Sequence, residues 1–81
     1  MPEALTIRGR ALLSVHKPQE AIDDLNKAAA LDPQNSAIHF QLARAYRQVG
    51  RTQDAERENS IYEKLEQEIH SEKEKRTPQP Q

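Results

Sequence analysis

The sequence predicts an all-α fold made of stacked helical hairpins. Apolar residues recur every three or four positions, no long stretch alternates with period two, and residues 34 apart match repeatedly. Apolar residues are only 35% of the 81 residues, and Cys and Trp are absent. Such a chain buries a thin core that no disulfide can support, so its stability depends on packing between neighbouring units.

Four helices are predicted, near residues 3–15, 18–31, 36–49 and 52–75. Pro18 suits the first position of the second helix, because the N–H that proline lacks has no partner at a helix start. The predicted apolar faces of the first two helices are Leu5, Gly9, Leu12 and Val15, and Ala21, Leu25, Ala28 and Leu31.

The third and fourth helices have start and stop signals. Asn35 or Ser36 can cap the third helix, Gly50 suits a left-handed stop after it, and Thr52 can cap the fourth. The third helix places its apolar face at Leu42, Ala43, Tyr46 and Val49. Residues 76–81 contain two prolines and little to bury, so we predict a disordered tail.

An internal repeat organises these helices. Six residues recur identically 34 positions later, in the pairs Arg10/Arg44, Ala11/Ala45, Val15/Val49, Gln19/Gln53, Ala21/Ala55 and Leu31/Leu65. A fixed period of this size is typical of solenoids, in which each unit is one helical hairpin. We therefore predict a first repeat at 2–35 and a second at 36–69, whose last helix continues to about 75 as a polar cap.

The repeat resembles the tetratricopeptide repeat (TPR) family over about residues 2–66. The family's motif positions hold Leu5, Arg8, Gly9, Leu12, Ala21, Leu25 and Pro33 in the first unit, and His39, Leu42, Ala43, Tyr46, Ala55, Asn59 and Gln67 in the second. Arg8 replaces an expected Leu, and Asn59 and Tyr62 replace an apolar and a small residue. The resemblance implies a right-handed solenoid fragment with a modified C-terminal end.

The resemblance also implies a non-catalytic protein-interaction module. In the family, the first helix of each repeat lines a concave wall that binds partners. The matching positions here are Thr6, Arg10, Leu13, Phe40, Arg44 and Arg47. Because guanidinium groups in a row can hold carboxylates bidentately, we expect an extended acidic peptide as the ligand. Thr6, Arg10 and Gln41 stand where the family's chaperone-tail clamp has Lys and Asn, which argues against that ligand.

Other classes of function lack support in the sequence. No catalytic motif occurs, and no two of the three His residues have helical ligand spacing, so we expect no enzyme, metal or cofactor. The net charge is −1 and no apolar run could span a bilayer, so we expect neither nucleic acid nor membrane as a partner. With Met1 taken as the start, the absence of a targeting segment predicts a cytoplasmic location.

Two repeats are fewer than the three or so that a stable array needs, which leaves alternatives open. The chain is the end of a longer array, or it covers its exposed first helix by self-association. An apolar stripe in the fourth helix, Ile61, Leu65 and Ile69, either packs on the second repeat or forms a homo-oligomer seam. A third alternative is a module that only positions a catalytic domain upstream.

Overall fold

The computed structural model describes residues 2–76, with side chains up to Ile69, and forms four helices. They are α1 (Pro2–Ser14), α2 (Pro18–Leu31), α3 (Ser36–Gln48) and α4 (Thr52–Arg76). No strand occurs within 2–76, which confirms the all-α prediction. Arg76, which we assigned to the tail, is the last helical residue, and the predicted disorder of 77–81 lies outside the described residues.

Local signals explain where the helices begin and end. The Asn35 side chain accepts a hydrogen bond from the Ala37 backbone N–H at 3.0 Å, so Asn35 rather than Ser36 caps α3. Pro18 occupies the first turn of α2, as predicted. Gly50 has φ 78° in the turn between α3 and α4, a left-handed conformation that glycine adopts at little cost.

The helices form two hairpins, α1–α2 and α3–α4, that pack together through α3. α1 packs along α2, α3 packs along α4, and α3 also contacts both helices of the first hairpin. Within the described residues, α4 contacts α3 alone. The first helix of the second repeat is therefore the element that joins the two repeats.

Small residues let these helices approach closely. The core is centred on Leu25, Ile38 and Leu42, the largest fully buried side chains. The buried alanines around them are Ala21, Ala28, Ala43, Ala45 and Ala55. Leu25 packs directly onto the α1 backbone at Gly9. Interlocking of large side chains with small ones is how helix pairs reach interior packing density.

Two residues of the predicted apolar faces lie outside this core. Val15 and Leu31 are each 61% exposed, so their assignment to the buried faces is wrong. Val15 follows the last residue of α1, and Leu31 is the last residue of α2. Both therefore lie at helix ends, where the neighbouring helices no longer cover the periodic face.

A buried acid occupies the same position in each repeat. Asp24 on α2 and Glu58 on α4 are 34 residues apart and are 7% and 9% exposed. Arg8 on α1 pairs with Asp24 (Nε to Oδ2, 3.1 Å). Because Oδ2 has no aligned hydrogen bond, this contact is an ion pair without good hydrogen-bond geometry. Arg8, which replaces the expected Leu, thus neutralises a buried carboxylate.

In the second repeat, the buried acid Glu58 contacts a histidine rather than an arginine. His39 on α3 is 7% exposed, and its Nδ1 lies 3.4 Å from both carboxylate oxygens of Glu58. Its Nε2 lies 2.8 Å from the Pro33 carbonyl. Since a carbonyl can only accept, Nε2 donates in that contact. His39 therefore connects α4 to the turn between the repeats.

Candidate functional site

An open depression of about 280 Å³ lies where α1 faces the long side chain of Arg44 from α3. It is lined by Ile7, Arg10, Ala11, Ser14 and Arg44. Arg10 and Arg44 occupy the same position of successive repeats, and the structure brings them to one depression. We call it the arginine depression.

A second depression, also of about 280 Å³, continues along α1 towards its N-terminus. It is lined by Glu3, Thr6, Ile7, Arg10 and Asn35. Ile7 and Arg10 belong to both depressions, so the two form one continuous surface. We call it the α1–α3 groove.

The arginine depression contains two arginines that pair with no acidic residue among those that the structure describes. Arg44 donates from Nη1 to the Gln41 side-chain oxygen at 3.2 Å, and within the described part of the chain neither Arg10 nor Arg44 pairs with a carboxylate. Elsewhere, Arg51 and Arg57 both pair with Asp54. The guanidinium groups of the groove therefore keep donors for an external anion.

Phe40 lies one turn before Arg44 on α3 and contacts α4. Its ring centroid is 5.4 Å from that of Tyr62, with the planes tilted by 47°. Phe40 remains 40% exposed, and Tyr62 is half-buried. The pair is an aromatic surface at the α4 side of α3.

The remaining predicted groove residues have different positions. Thr6 is half-buried in the second depression, and its hydroxyl donates to the Pro2 carbonyl at 2.7 Å. Arg47 is exposed, one turn after Arg44 on α3.

Leu13 is 2% exposed and belongs to the core, so its assignment to the groove is wrong. Each residue of an α-helix turns the side chain by about 100°, which puts Leu13 only about 40° from buried Gly9.

The apolar stripe of α4 becomes more exposed towards the end of the helix. Ile61 and Leu65 are half-buried, whereas Ile69 is 41% exposed. The stripe stays a candidate for self-association, with Ile69 as its most accessible member.

Ile7 is a prominent residue of the groove that was not predicted from the sequence. Ile7 lines both depressions and is 66% exposed, the largest exposed fraction among the big apolar side chains identified as exposed. Its spacing of i, i+3 from Arg10 was the available signal, because residues three apart share a helix face.

The described residues form neither a metal site nor a membrane-spanning segment. Among the described residues, no group of three or more His, Cys, Asp or Glu is arranged to hold a metal ion. None of the described helical residues forms a segment with the length and hydrophobicity needed to cross a bilayer.

Comparison with known proteins identifies the repeat. A family model described as tetratricopeptide repeat matches residues 12–67, more than half of the 81-residue chain. No curated protein and no solved structure matches the chain significantly.

Proposed function

Because this chain belongs to the tetratricopeptide repeat family, we propose that it is a non-catalytic module that binds an extended acidic peptide in the α1–α3 groove. One observation carries this proposal. Arg10 and Arg44, from equivalent positions of the two repeats, line one depression and have no carboxylate partner among the described residues.

The chemistry of these side chains favours a carboxylate ligand. A guanidinium group presents several N–H donors in a plane and can hold a carboxylate through two parallel hydrogen bonds. Two such groups from adjacent helices can hold one carboxylate or two neighbouring ones. The concave surface is built on packed helices, so little ordering of the protein is needed on binding.

The test is fluorescence anisotropy with a labelled peptide of alternating glutamate and serine, and with a lysine–serine peptide as the negative control. Arg10→Glu and Arg44→Glu are expected to weaken binding of the glutamate peptide at least about tenfold, because each replaces an attraction with a repulsion. Helicity, followed by circular dichroism, should not change.

Lys27→Glu is the matched control, since Lys27 is exposed on α2 and the substitution changes the charge equally. Equal binding by the wild type, Arg44→Glu and Lys27→Glu would show that the groove does not recognise acidic peptides.

A second candidate function is assembly with another helical hairpin on the outer face of α1. Ile38, Gln41 and Ala45 of α3 are at most 8% exposed because the first hairpin covers them. Their equivalents on α1 are all exposed: Ala4, Ile7 and Ala11. The same repeat positions are therefore covered in α3 and uncovered in α1, which favours a covering hairpin from a longer array or from a second copy.

Sedimentation velocity between micromolar and millimolar protein tests the second-copy form of this candidate. Ala4→Arg should shift an associating chain towards monomer, whereas Arg44→Glu should not. A chain that is monomeric throughout this range excludes self-association. If Leu65→Ser, rather than Ala4→Arg, prevents association, the seam lies on α4.

A further inference from the structure

Resting on the proposed function, we infer that the α1–α3 groove, together with the Phe40–Tyr62 aromatic surface, selects a five-residue extended segment with a single carboxylate at its centre. An apolar side chain lies two residues before that carboxylate and another lies two residues after it. The first, third and fifth side chains contact the protein, and the second and fourth face solvent.

Ile7 supplies the first apolar contact. It is 66% exposed, lies one turn from Arg10 and lines the arginine depression together with Arg10 and Arg44. A ligand whose carboxylate reaches the two arginines therefore has an isoleucine surface beside it. Covering this surface with an apolar side chain removes area from water on both partners.

Phe40 and Tyr62 supply the second apolar contact. Phe40 is one turn before Arg44, on the side of α3 that faces α4, and its ring rests against Tyr62. This aromatic surface is on the opposite side of Arg44 from the first hairpin. A ligand that crosses from α1 to α3 meets Ile7 first, the arginines next and Phe40 last.

An extended five-residue segment is long enough to pass from α1 to α3. Packed helices lie roughly 8–10 Å apart, and the two apolar surfaces are on different helices. In an extended chain, side chains two residues apart point the same way and each residue adds about 3.3 Å. Residues one and five are then roughly 13 Å apart, enough to pass from one helix to the other.

Glu3 disfavours ligand carboxylates outside the arginine depression. It lines the second depression together with Thr6 and Asn35. A uniformly acidic segment that extends into this depression would place like charges close together. The favourable position for a carboxylate is thus confined to the arginine depression.

Fluorescence anisotropy with three labelled heptapeptides tests the inference on the wild-type chain. The first is Ser-Leu-Ser-Glu-Ser-Leu-Ser. The second, Ser-Leu-Glu-Ser-Ser-Leu-Ser, has the same composition but directs its carboxylate away from the protein when the leucines are bound. The third replaces both leucines with serine.

We expect the first peptide to bind at least about tenfold more tightly than either of the others, because each lacks one class of contact. Ile7→Ser and Phe40→Ser should each weaken binding of the first peptide by about fivefold to tenfold. Neither should change binding of the third peptide, which has no apolar side chain. Leu31→Ser is the matched control, because Leu31 is 61% exposed at the end of α2.

The possible outcomes separate this inference from the proposed function. If the first two peptides bind equally and Arg44→Glu weakens both, the groove binds carboxylates without the apolar selection and this inference is wrong. If no peptide binds the wild type, and the glutamate–serine peptide also fails, the proposed function is wrong as well. Unchanged affinity for the first peptide in Ile7→Ser and Phe40→Ser would also overturn the inference.

Discussion

Gly9 is a point of close approach between α1 and α2. A Cβ atom at this position would lie 2.7 Å from Cγ of Leu25, a fully buried side chain. The second repeat has Ala43 and Asn59 at the equivalent positions, an alanine in place of Gly9 and a polar side chain in place of Leu25. The equivalent positions of the two repeats are therefore occupied by different pairs of residues.

We predict that Gly9→Ala destabilises the chain by about 1–2 kcal/mol. Alanine gains up to about 1 kcal/mol of helix propensity, but overpacking a core costs about 1–3 kcal/mol. Urea unfolding followed by circular dichroism measures the difference. In a Leu25→Ala background the space is free, so the same substitution should be neutral or stabilising. A stabilising effect in the wild type would contradict this packing.

The buried pair of His39 and Glu58 leads to a second prediction at the same scale. Removal of either partner leaves the other buried, so His39→Leu and Glu58→Leu should each destabilise the chain by about 2–3 kcal/mol. The double variant should lose less than the two losses together, because no polar group of the pair remains buried. The Pro33 carbonyl that His39 contacts belongs to an exposed residue, so water can replace that hydrogen bond.

A double-mutant cycle from urea unfolding measures this coupling. Additive losses would show that the contact between the imidazole and the carboxylate contributes nothing to stability.

At the scale of the helices, α4 is the longest and the least supported. Ser36, the first residue of α3, donates its hydroxyl to a carboxylate oxygen of Glu66 at 2.6 Å. α4 has ten further residues after Glu66, and within the described residues α3 is its only neighbour. Residues 67–76 thus extend past the start of α3.

We predict a sharp change of amide hydrogen exchange along α4. Amides up to about Glu66 should exchange slowly, because opening them requires separation of α4 from α3. Amides from 67 to 76 should exchange much faster, since a helix without tertiary packing is marginal in water. Exchange measured by NMR or mass spectrometry checks this. Uniform protection to Arg76 would mean that another chain covers the end of the helix.

Helix positions could be predicted from the sequence more completely than helix faces. Gly50, Pro18 and Asn35 are local signals that act within a turn, and the helix ends follow them. The side chains of Leu12 and Leu13 point in directions about 100° apart around α1. The apolar periodicity alone does not indicate which neighbouring helix each side chain contacts. Leu13 is buried and Leu12 is half-buried, because the positions of α2 and α3 together decide which part of α1 is covered.

The candidate site, too, could be predicted from the sequence only in part. Comparison of the repeats predicted that Arg10 and Arg44 would be neighbours, and they line one depression. The contact of Phe40 with Tyr62 involves residues 22 apart on different helices, so no sequence spacing indicates it. The burial of Asp24 and Glu58 could not be predicted from the sequence either, since acidic residues on a helix ordinarily face solvent.

At the scale of the whole molecule, the packing of α3 against both helices of the first hairpin predicts that both repeats unfold together. The only two tyrosines, Tyr46 and Tyr62, are in the second hairpin, and the chain lacks Trp. Tyrosine fluorescence therefore follows the second hairpin, whereas circular dichroism follows all four helices. We expect the two signals to give the same midpoint in urea.

Leu42→Ala should lower both midpoints together, with a loss of about 2–5 kcal/mol for a fully buried leucine. An exposed substitution such as Lys27→Ala is the control. Separate midpoints for the two signals would show that the hairpins unfold independently.

The contact between Phe40 and Tyr62 makes the two ends of the helical stack different. Tyr62 occupies the position that fully buried Ala28 holds in the first repeat, where α3 rests against the first hairpin. The methyl group of Ala28 leaves space for α3 to pack. At the equivalent position, the phenol ring of Tyr62, in contact with the Phe40 ring, fills that space. Within the described residues, the second hairpin therefore does not repeat the small-residue surface against which α3 rests, and we expect tandem copies of the chain to join less closely than its own two hairpins.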